Sequence, residues 1–301
     1  MILTITLNPA VDVTYEVDEL VPHATHRVRA VREQAGGKGV NVSRVLHQVG
    51  HPTMATGLLG GPTGDLVRGR LAAAGIETAF TPITATTRRT VVVTDTEDAT
   101  VFNEPGPAVT DAEWSAFTGS LNALSTGATC VVMSGSLPAG VDPAAYAELC
   151  ALLPVPAVVD TSGPALLAAA EAGANLLKPN AAELSEATGI QDTYAAAQHL
   201  RDRGATTVVV TRGADGMLAV TPDGTWSARL GERIAGNPTG AGDAATAALA
   251  AGHATGADWP ERLREAVAWS AAAVPVPHAG EVDLPTLDRL RPLVTVTKEN
   301  P

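Results

Sequence analysis

Three short segments of this 301-residue chain gather residue types suited to handling a phosphoryl group. Asn237-Pro-Thr-Gly-Ala-Gly-Asp243 leads into an alanine-rich helical pattern over residues 244–251. Small residues at Gly240, Ala241 and Gly242 let backbone N–H groups converge at a helix N-terminus, where the dipole also favours an anion. A phosphoryl group in transfer spreads charge over its equatorial oxygens and needs such a cradle. Asp243, just inside the helix, is placed to accept a proton from an attacking hydroxyl. The same residues also suit a plain glycine turn with an aspartate stabilising a helix end.

The second segment is Gly36-Gly37-Lys38-Gly39-Val40-Asn41, at the entrance of a helical pattern over residues 40–49. It lacks the spacing of a Walker A loop and the third glycine of a dinucleotide fingerprint. Gly37 allows a ligand close to the backbone, Lys38 can neutralise a phosphate, and Asn41 can bond hydroxyls; a glycine turn with a solvated lysine is the alternative. The third is Lys178-Pro-Asn180-x-x-Glu183 after a short strand. Asn180 and Glu183 share one helix face, where they could support nucleotide phosphates and a hydrated Mg²⁺, Glu183 acting through water. Ordinary helix capping accounts for the pair equally well.

Three further positions end strands or follow them. Thr211, Gly213 and Gly216 offer a backbone edge to a nucleotide, or simply a hairpin turn. Ser136, in Ser134-Gly-Ser136-Leu-Pro, would face the crevice at the strand carboxyl ends. Asp12, in Asn8-Pro-Ala-Val-Asp12, suits sugar hydroxyls, or is a loop aspartate. The Gly-x-Ser-x-Gly elbow of an esterase is absent. All but three of the 20 basic residues are arginine, and two of the three lysines, Lys38 and Lys178, fall inside these motifs. A compact, rotatable ammonium is kept where an arginine fork would not serve.

The elements that must position these residues alternate. Apolar strand patterns run over residues 2–7, 53–59, 130–134, 157–160, 175–177 and 207–211, separated by helical patterns over 40–49, 66–74 and 165–172, each closed by glycine. Thr110-x-x-Glu113 opens another helix as a capping box. Such alternation predicts a Rossmann-like, mainly parallel sheet sandwiched by helices. Residues 11–17 with 26–32, and 89–94 with 99–103, read instead as strands paired without helices, with a hairpin turn at 94–98. They predict a small β-rich lid, approximately 11–35 and 88–105, inserted in one domain spanning 1–301. Residues 295–301 are expected to be a disordered tail.

Composition narrows the partners. With 32 acidic and 20 basic residues the net charge is −12, which argues against nucleic acid and anionic membranes. No apolar run is long enough to span a bilayer, and the start MILTITLNPA has no signal-peptide pattern. Cys130 and Cys150 form no disulfide or metal pattern, so a reduced cytoplasm is expected.

In this order, ITLNPAVD, HRVRAVREQAGGKGVNVSRVL, TTRRT, NEPGP, SGSLPAG, VDTSG, KPNAAEL, TRGADG and NPTGAGD together resemble the ribokinase-like sugar kinases of the phosphofructokinase B type over nearly the whole chain. The similarity is greatest to those acting on tagatose 6-phosphate and fructose 1-phosphate. The resemblance implies an ATP- and Mg²⁺-dependent kinase that phosphorylates a ketohexose monophosphate, with Asp243 as base and Gly240, Ala241 and Gly242 as anion hole. It implies substrate contacts from Asp12, Lys38, Asn41, Arg88, Ser136 and Arg27, the last from a lid position that reaches the sugar phosphate in some members. It implies nucleotide and metal support from Asn180 and Glu183. Lys38 and Arg88 are then expected to bridge the sugar phosphate. Arg212 departs from the apolar residue of many relatives, and His278 is expected near the adenine side, without a role.

Apolar lid strands, especially residues 91–93, are expected to be covered in part, by ligand closure or by a second subunit's lid, the latter giving a homodimer. Other readings are a kinase for an unphosphorylated sugar or nucleoside, a non-catalytic sugar-phosphate sensor, and a nicotinamide dehydrogenase. The missing glycine fingerprint disfavours the dehydrogenase, and the intact Asp243 motif disfavours the sensor.

Overall fold

The computed structural model describes residues 1–96 and 99–299. In chain order the strands are β1 (Ile2–Thr6), β2 (Ala10–Glu16), β3 (Ala30–Gly36), β4 (Thr53–Leu59), β5 (Glu77–Thr78), β6 (Thr81–Pro82), β7 (Arg88–Thr94) and β8 (Ala99–Asn103). They continue with β9 (Cys130–Ser134), β10 (Ala157–Asp160), β11 (Leu176–Leu177), β12 (Val208–Thr211), β13 (Met217–Thr221), β14 (Gly224–Leu230) and β15 (Val294–Glu299). The helices are α1 (Lys38–Gln48), α2 (Gly61–Ala73), α3 (Asp111–Ser125), α4 (Ala145–Leu152), α5 (Gly163–Glu171), α6 (Ala181–Thr188), α7 (Thr193–Asp202), α8 (Ala241–Thr255), α9 (Trp259–Ala272) and α10 (Leu284–Leu290).

The large sheet runs β15-β14-β13-β12-β11-β10-β9-β1-β4-β5, with β6 also on β4. It is parallel from β5 to β12 and antiparallel from β12 to β15. Alternation within the central strands feeds two cores. Leu3, Ile5, Val131 and Met133 pack with Phe117, Tyr146, Leu166 and Leu200 on one face. Ile2, Cys130, Val132 and Val158 pack with α1, α8 and α9 on the other. Being buried on both faces, these strands carry almost unbroken apolar runs. α8 is buried nearly all round, and its alanines let it lie close to both the sheet and α9. Enlarging one of them, as in Ala248→Leu, would overpack this layer at a cost of about 1–3 kcal/mol.

β1 lies between β4 and β9, so the direction of winding reverses beside it, and a crevice opens at the carboxyl ends of the strands there. A separate four-stranded sheet, β3-β2-β7-β8, overhangs that crevice. Its inner anchors, Val11, Val13 and Ala35, pack on Val67 and Leu71 of α2 and on Val40 of α1.

Three features differ from the sequence reading. β3 starts at Ala30 rather than residue 26, because its register runs Ala10↔Gly36 to Glu16↔Ala30. Residues 26–29 lie before it, with the His26 ring accepting a bond from Val21 N–H. Residues 294–299 form edge strand β15 instead of a disordered tail: Val294 is buried, Val296 packs on the same core, and Lys298 lies over Trp226. β13 and β14 extend the sheet beyond β12 where no strands were read. The turn expected at 94–98 lies partly outside the described residues.

Candidate active site

The carboxyl ends of β1, β9, β10, β11 and β12 deliver Asn8, Ser136, Asp160, Lys178 and Thr211 to one cavity of about 770 Å³. α1 adds Gly37, Lys38 and Asn41; the start of α8 adds Gly240, Gly242 and Asp243; the lid adds Asp12 and Arg88. Asn180 and Glu183 line it as well.

Asp243 is 6% exposed and accepts a hydrogen bond from Asn41 Nδ2 at 2.8 Å. Burial, aided by the negative charge of Asp160, pushes its carboxyl up to about 7, against the opposing pull of Asn41, Lys38 and Lys178. A carboxylate tuned in this way can carry a proton near neutral pH. The side-chain oxygen of Asn41, Oδ1, is buried without a partner. Such an orphan acceptor beside the carboxylate suits a ligand hydroxyl.

Gly240 caps α8 at φ +88°, and a Cβ there would come within 2.7 Å of the Ala279 backbone. Having no side chain, it leaves the first-turn N–H groups of the helix without a side-chain cap. Ala241 N–H turns back to the Pro238 carbonyl at 3.1 Å, so of the three residues expected to cradle an anion, its amide is already engaged. The amides next along, those of Gly242 and Asp243, are the ones at the uncapped helix start.

The sequence motifs assign Asp160 no role; the segment Val159-Asp160-Thr161-Ser162-Gly163 carries only part of the family resemblance. Asp160 is 1% exposed, with Oδ1 at 3.2 Å from Lys38 Nζ and Oδ2 at 3.2 Å from Lys178 Nζ. Thr246, one turn along α8 from Asp243, donates to the same Oδ2 at 3.0 Å. Burial alone would raise this carboxyl; Lys178, Lys38 and Thr246 together hold it below the usual carboxylate range. The two scarce lysines therefore converge on one buried carboxylate. Nothing in their sequence separation signals that meeting.

Lys38 also stands 3.7 Å from Glu183 Oε1, and Asp160, with Glu183, keeps it charged against the effect of burial. Its ammonium thus sits among carboxylates of the main sheet, and bridging a sugar phosphate with Arg88 would require leaving them. Asn180 and Glu183 form a reciprocal capping box on α6: Asn180 Oδ1 accepts from Glu183 N–H at 2.8 Å, and Glu183 Oε2 from Asn180 N–H at 2.9 Å. The capping reading and the cavity reading hold together, since Oε1 is left facing Lys38.

On the lid side, Arg88 donates from Nε to the Asn8 carbonyl and from Nη1 to Thr90 Oγ1, both at 3.3 Å. Among the described residues no carboxylate lies within ion-pair distance of it. Burial raises Asp12 to about 6, against Arg88, Thr90 and Arg44. Asn8 Nδ2 donates to Ser136 Oγ at 3.1 Å. Arg27 is exposed in the segment before β3 and does not line the cavity.

Gly213 and Gly216 border a second cavity of about 320 Å³, with Met217, Leu230, Ile234, Val267 and Val274. Asn237, Thr239 and Gly240 line the first cavity, while Gly236, Pro238 and Ala241 line the second, so one segment divides them. His278 lines the first cavity, its Nε2 3.3 Å from Arg32 of the lid, and does not line the second. Arg212 bonds the Asp215 and Met217 carbonyls and borders neither.

Residues 5–287 match the model of the pfkB family carbohydrate kinases. The chain belongs to that family. It is thus a kinase, a phosphotransferase with an alcohol acceptor. It is 38% identical to a 1-phosphofructokinase of Rhodobacter capsulatus, over 98% of this chain and 96% of that one. It is 32% identical to a 1-phosphofructokinase of Bacillus subtilis, over 99% of this chain and 100% of that one. The fold superposes with a TM-score of 0.89 on phosphofructokinase-2 from Escherichia coli in complex with fructose-6-phosphate, which is 28% identical and aligned over 97% of this chain and 98% of the other. The ribokinase-like architecture expected from the sequence is therefore the architecture observed. No helix among the described residues is long and apolar enough to cross a membrane.

Proposed function

We propose that this kinase transfers the terminal phosphoryl group of ATP to a fructose monophosphate, with fructose 1-phosphate preferred, and forms the bisphosphate. One observation carries the reading: a single cleft holds a buried carboxylate at an uncapped helix start and an arginine, Arg88, whose acidic neighbours Asp12 and Glu104 are not in ion-pair contact with it. The names of the two curated relatives favour the 1-phosphate over fructose 6-phosphate or tagatose 6-phosphate.

The residues divide the work. Arg88, with Asp12 and Ser136 nearby, takes the sugar phosphate and hydroxyls, so that the far hydroxyl reaches Asp243 and the orphan Asn41 oxygen. Asp243 removes the hydroxyl proton as the oxygen attacks. The amides of Gly242 and Asp243, with Lys38 and Lys178, meet the negative charge of the phosphoryl group in flight. The apolar second cavity, edged by Gly213 and Gly216, suits a purine base, placing the triphosphate across the 236–241 divide. ATP supplies the phosphoryl group, and Mg²⁺, when bound, screens its charge. Glu183 and Asn180 would support that ion through its water shell, since Mg²⁺ retains much of its hydration. The overhanging lid excludes water, which protects ATP from hydrolysis.

Lid strand β8 is exposed along its whole length, including Val101 and Phe102, and is the last strand of its sheet among the described residues. Val31 of the opposite edge strand is exposed too. Such edges invite pairing, which supports a homodimer through the lid, with Arg27 then available to a site near the partner.

The test is a panel of fructose 1-phosphate, fructose 6-phosphate, tagatose 6-phosphate and free fructose, followed by ADP release. Fructose 1-phosphate is expected to exceed free fructose in kcat/KM by at least ~10²-fold, about 2.7 kcal/mol of transition-state discrimination. Equal efficiency on the free sugar overturns the reading.

A further inference from the structure

A polar stripe on α1 continues from Asn41 to two residues, Arg44 and Gln48, that have no part in the mechanism above. Asn41, Arg44 and Gln48 follow one another at helical spacing and all address the segment that precedes α10. Gln48 exchanges two hydrogen bonds with the Val282 backbone, at 2.8 and 2.9 Å. Arg44 donates from Nη1 to the Ala279 carbonyl at 2.9 Å and to Gln34 Oε1 at 3.3 Å, and from Nη2 to Glu281 Oε1 at 2.7 Å. Its side chain is only 16% exposed.

What those partners touch gives the stripe its meaning. Gln34 lies on lid strand β3 directly across from Asp12, and both line the cleft. Ala279 packs against Gly240, the cap of α8. A Cβ on Gly280 would come within 2.9 Å of Arg44 Nη1 and 3.0 Å of Asn41 Oδ1, so the loop backbone lies directly on the residue that holds Asp243. A guanidinium presents its donors in a rigid plane and can satisfy three acceptors from two chain segments together; an ammonium has no such fork.

We propose that Arg44 is a positioning residue, tying the sugar-facing lid strand to loop 279–281 and so holding Gly240 and Asn41 in register for transfer. The proposal rests on the kinase reading above. Phosphosugar bound at Asp12 and Gln34 stiffens the Gln34–Arg44 contact, and the loop settles against the anion-binding corner.

The experiment compares wild type with Arg44→Met, Arg44→Lys and Glu281→Gln, using fructose 1-phosphate and ATP at matched folded fraction. Hydrogen exchange of residues 277–282 is followed with and without the phosphosugar. Displacing a reacting group by an ångström costs up to about 10²-fold. Both Arg44 variants should therefore lose about 10–100-fold in kcat with the KM for ATP little changed, and lysine should not rescue. Wild-type loop amides should be protected by phosphosugar alone, and the Arg44 variants should lose that protection. Glu281→Gln, which keeps the guanidinium, should show a smaller loss and partial protection, and carries the test if the Arg44 variants do not fold. A kcat within twofold of wild type, or undiminished protection in the variants, overturns the proposal. A wild type inactive on every phosphosugar overturns the kinase reading itself, and this proposal with it.

Discussion

The two ends of the cleft are built differently. The corner around Asp243 is assembled from strand ends of the main sheet and three helices, and its charges are mutually paired: Asp160 with Lys38 and Lys178, Glu183 with Lys38. The lid end hangs on a four-stranded sheet that ends in β3 and β8 among the described residues, and its arginine hydrogen-bonds a carbonyl and a hydroxyl. Paired buried charges make a fixed, preorganised field, which transition-state stabilisation requires. An arginine near Asp12 and Glu104 but in ion-pair contact with neither leaves affinity in reserve for an anion that comes and goes. The difference teaches where chemistry and where recognition should fail under mutation.

The sharpest break is at the corner. Asp243→Asn should lower kcat by roughly 10²–10⁴-fold with little change in the KM for phosphosugar, the pattern of a lost general base. A variant that keeps a third of wild-type turnover removes Asp243 from the mechanism.

Asp160→Asn should hurt in two ways. It leaves two lysines facing a neutral amide, and breaking the buried pair with Lys178 costs about 3–5 kcal/mol, readable in chemical denaturation. It also removes the negative charge that raises Asp243. Asp243 must be unprotonated to act, so wild-type kcat/KM should rise with pH through about 7. In the variant that acidic limb should move to lower pH. A limb that stays put, or moves up, would mean that another group controls it.

At the lid end the effect should be smaller and confined to binding. Arg88→Ala should raise the KM for fructose 1-phosphate about 10–100-fold and leave the already poor use of free fructose nearly unchanged. Equal losses on both sugars would show that Arg88 shapes the lid rather than reading phosphate.

The smallest expected effect concerns the end strands of the lid sheet. Phe102→Asp, at a side chain 55% exposed, should shift sedimentation from dimer to monomer while costing the folded subunit under about 0.5 kcal/mol. A wild type that sediments as a monomer at every concentration removes the lid dimer.

Much of this architecture was legible in the chain, for identifiable reasons. The central strands announce themselves because burial on both faces forces continuous apolar runs, as in Cys130–Ser134. α3 and α6 announce their starts because a capping box is a local device, complete within four residues. Edge strand β15 escaped because Val294 and Val296 take meaning only from the core they meet, and terminal position argued for fraying. β3 was displaced by four residues because its register is set by Ala10 and Glu16 across the ladder, not by its own composition.

The sequence by itself determined the chemistry on offer: an aspartate behind small residues at a helix start, two lysines where arginine is the rule, and a lid without helices. Spacing along the chain is enough for those, because helix starts, turns and apolar periodicity act over a few residues. Only the tertiary structure decided who pairs with whom. Asn41 meets Asp243 across 202 residues, Lys38 meets Asp160 across 122, and Arg44 meets Glu281 across 237. Those distances are crossed by strand order, and a buried charge takes its pKa and its partner from the neighbours that the sheet brings to it.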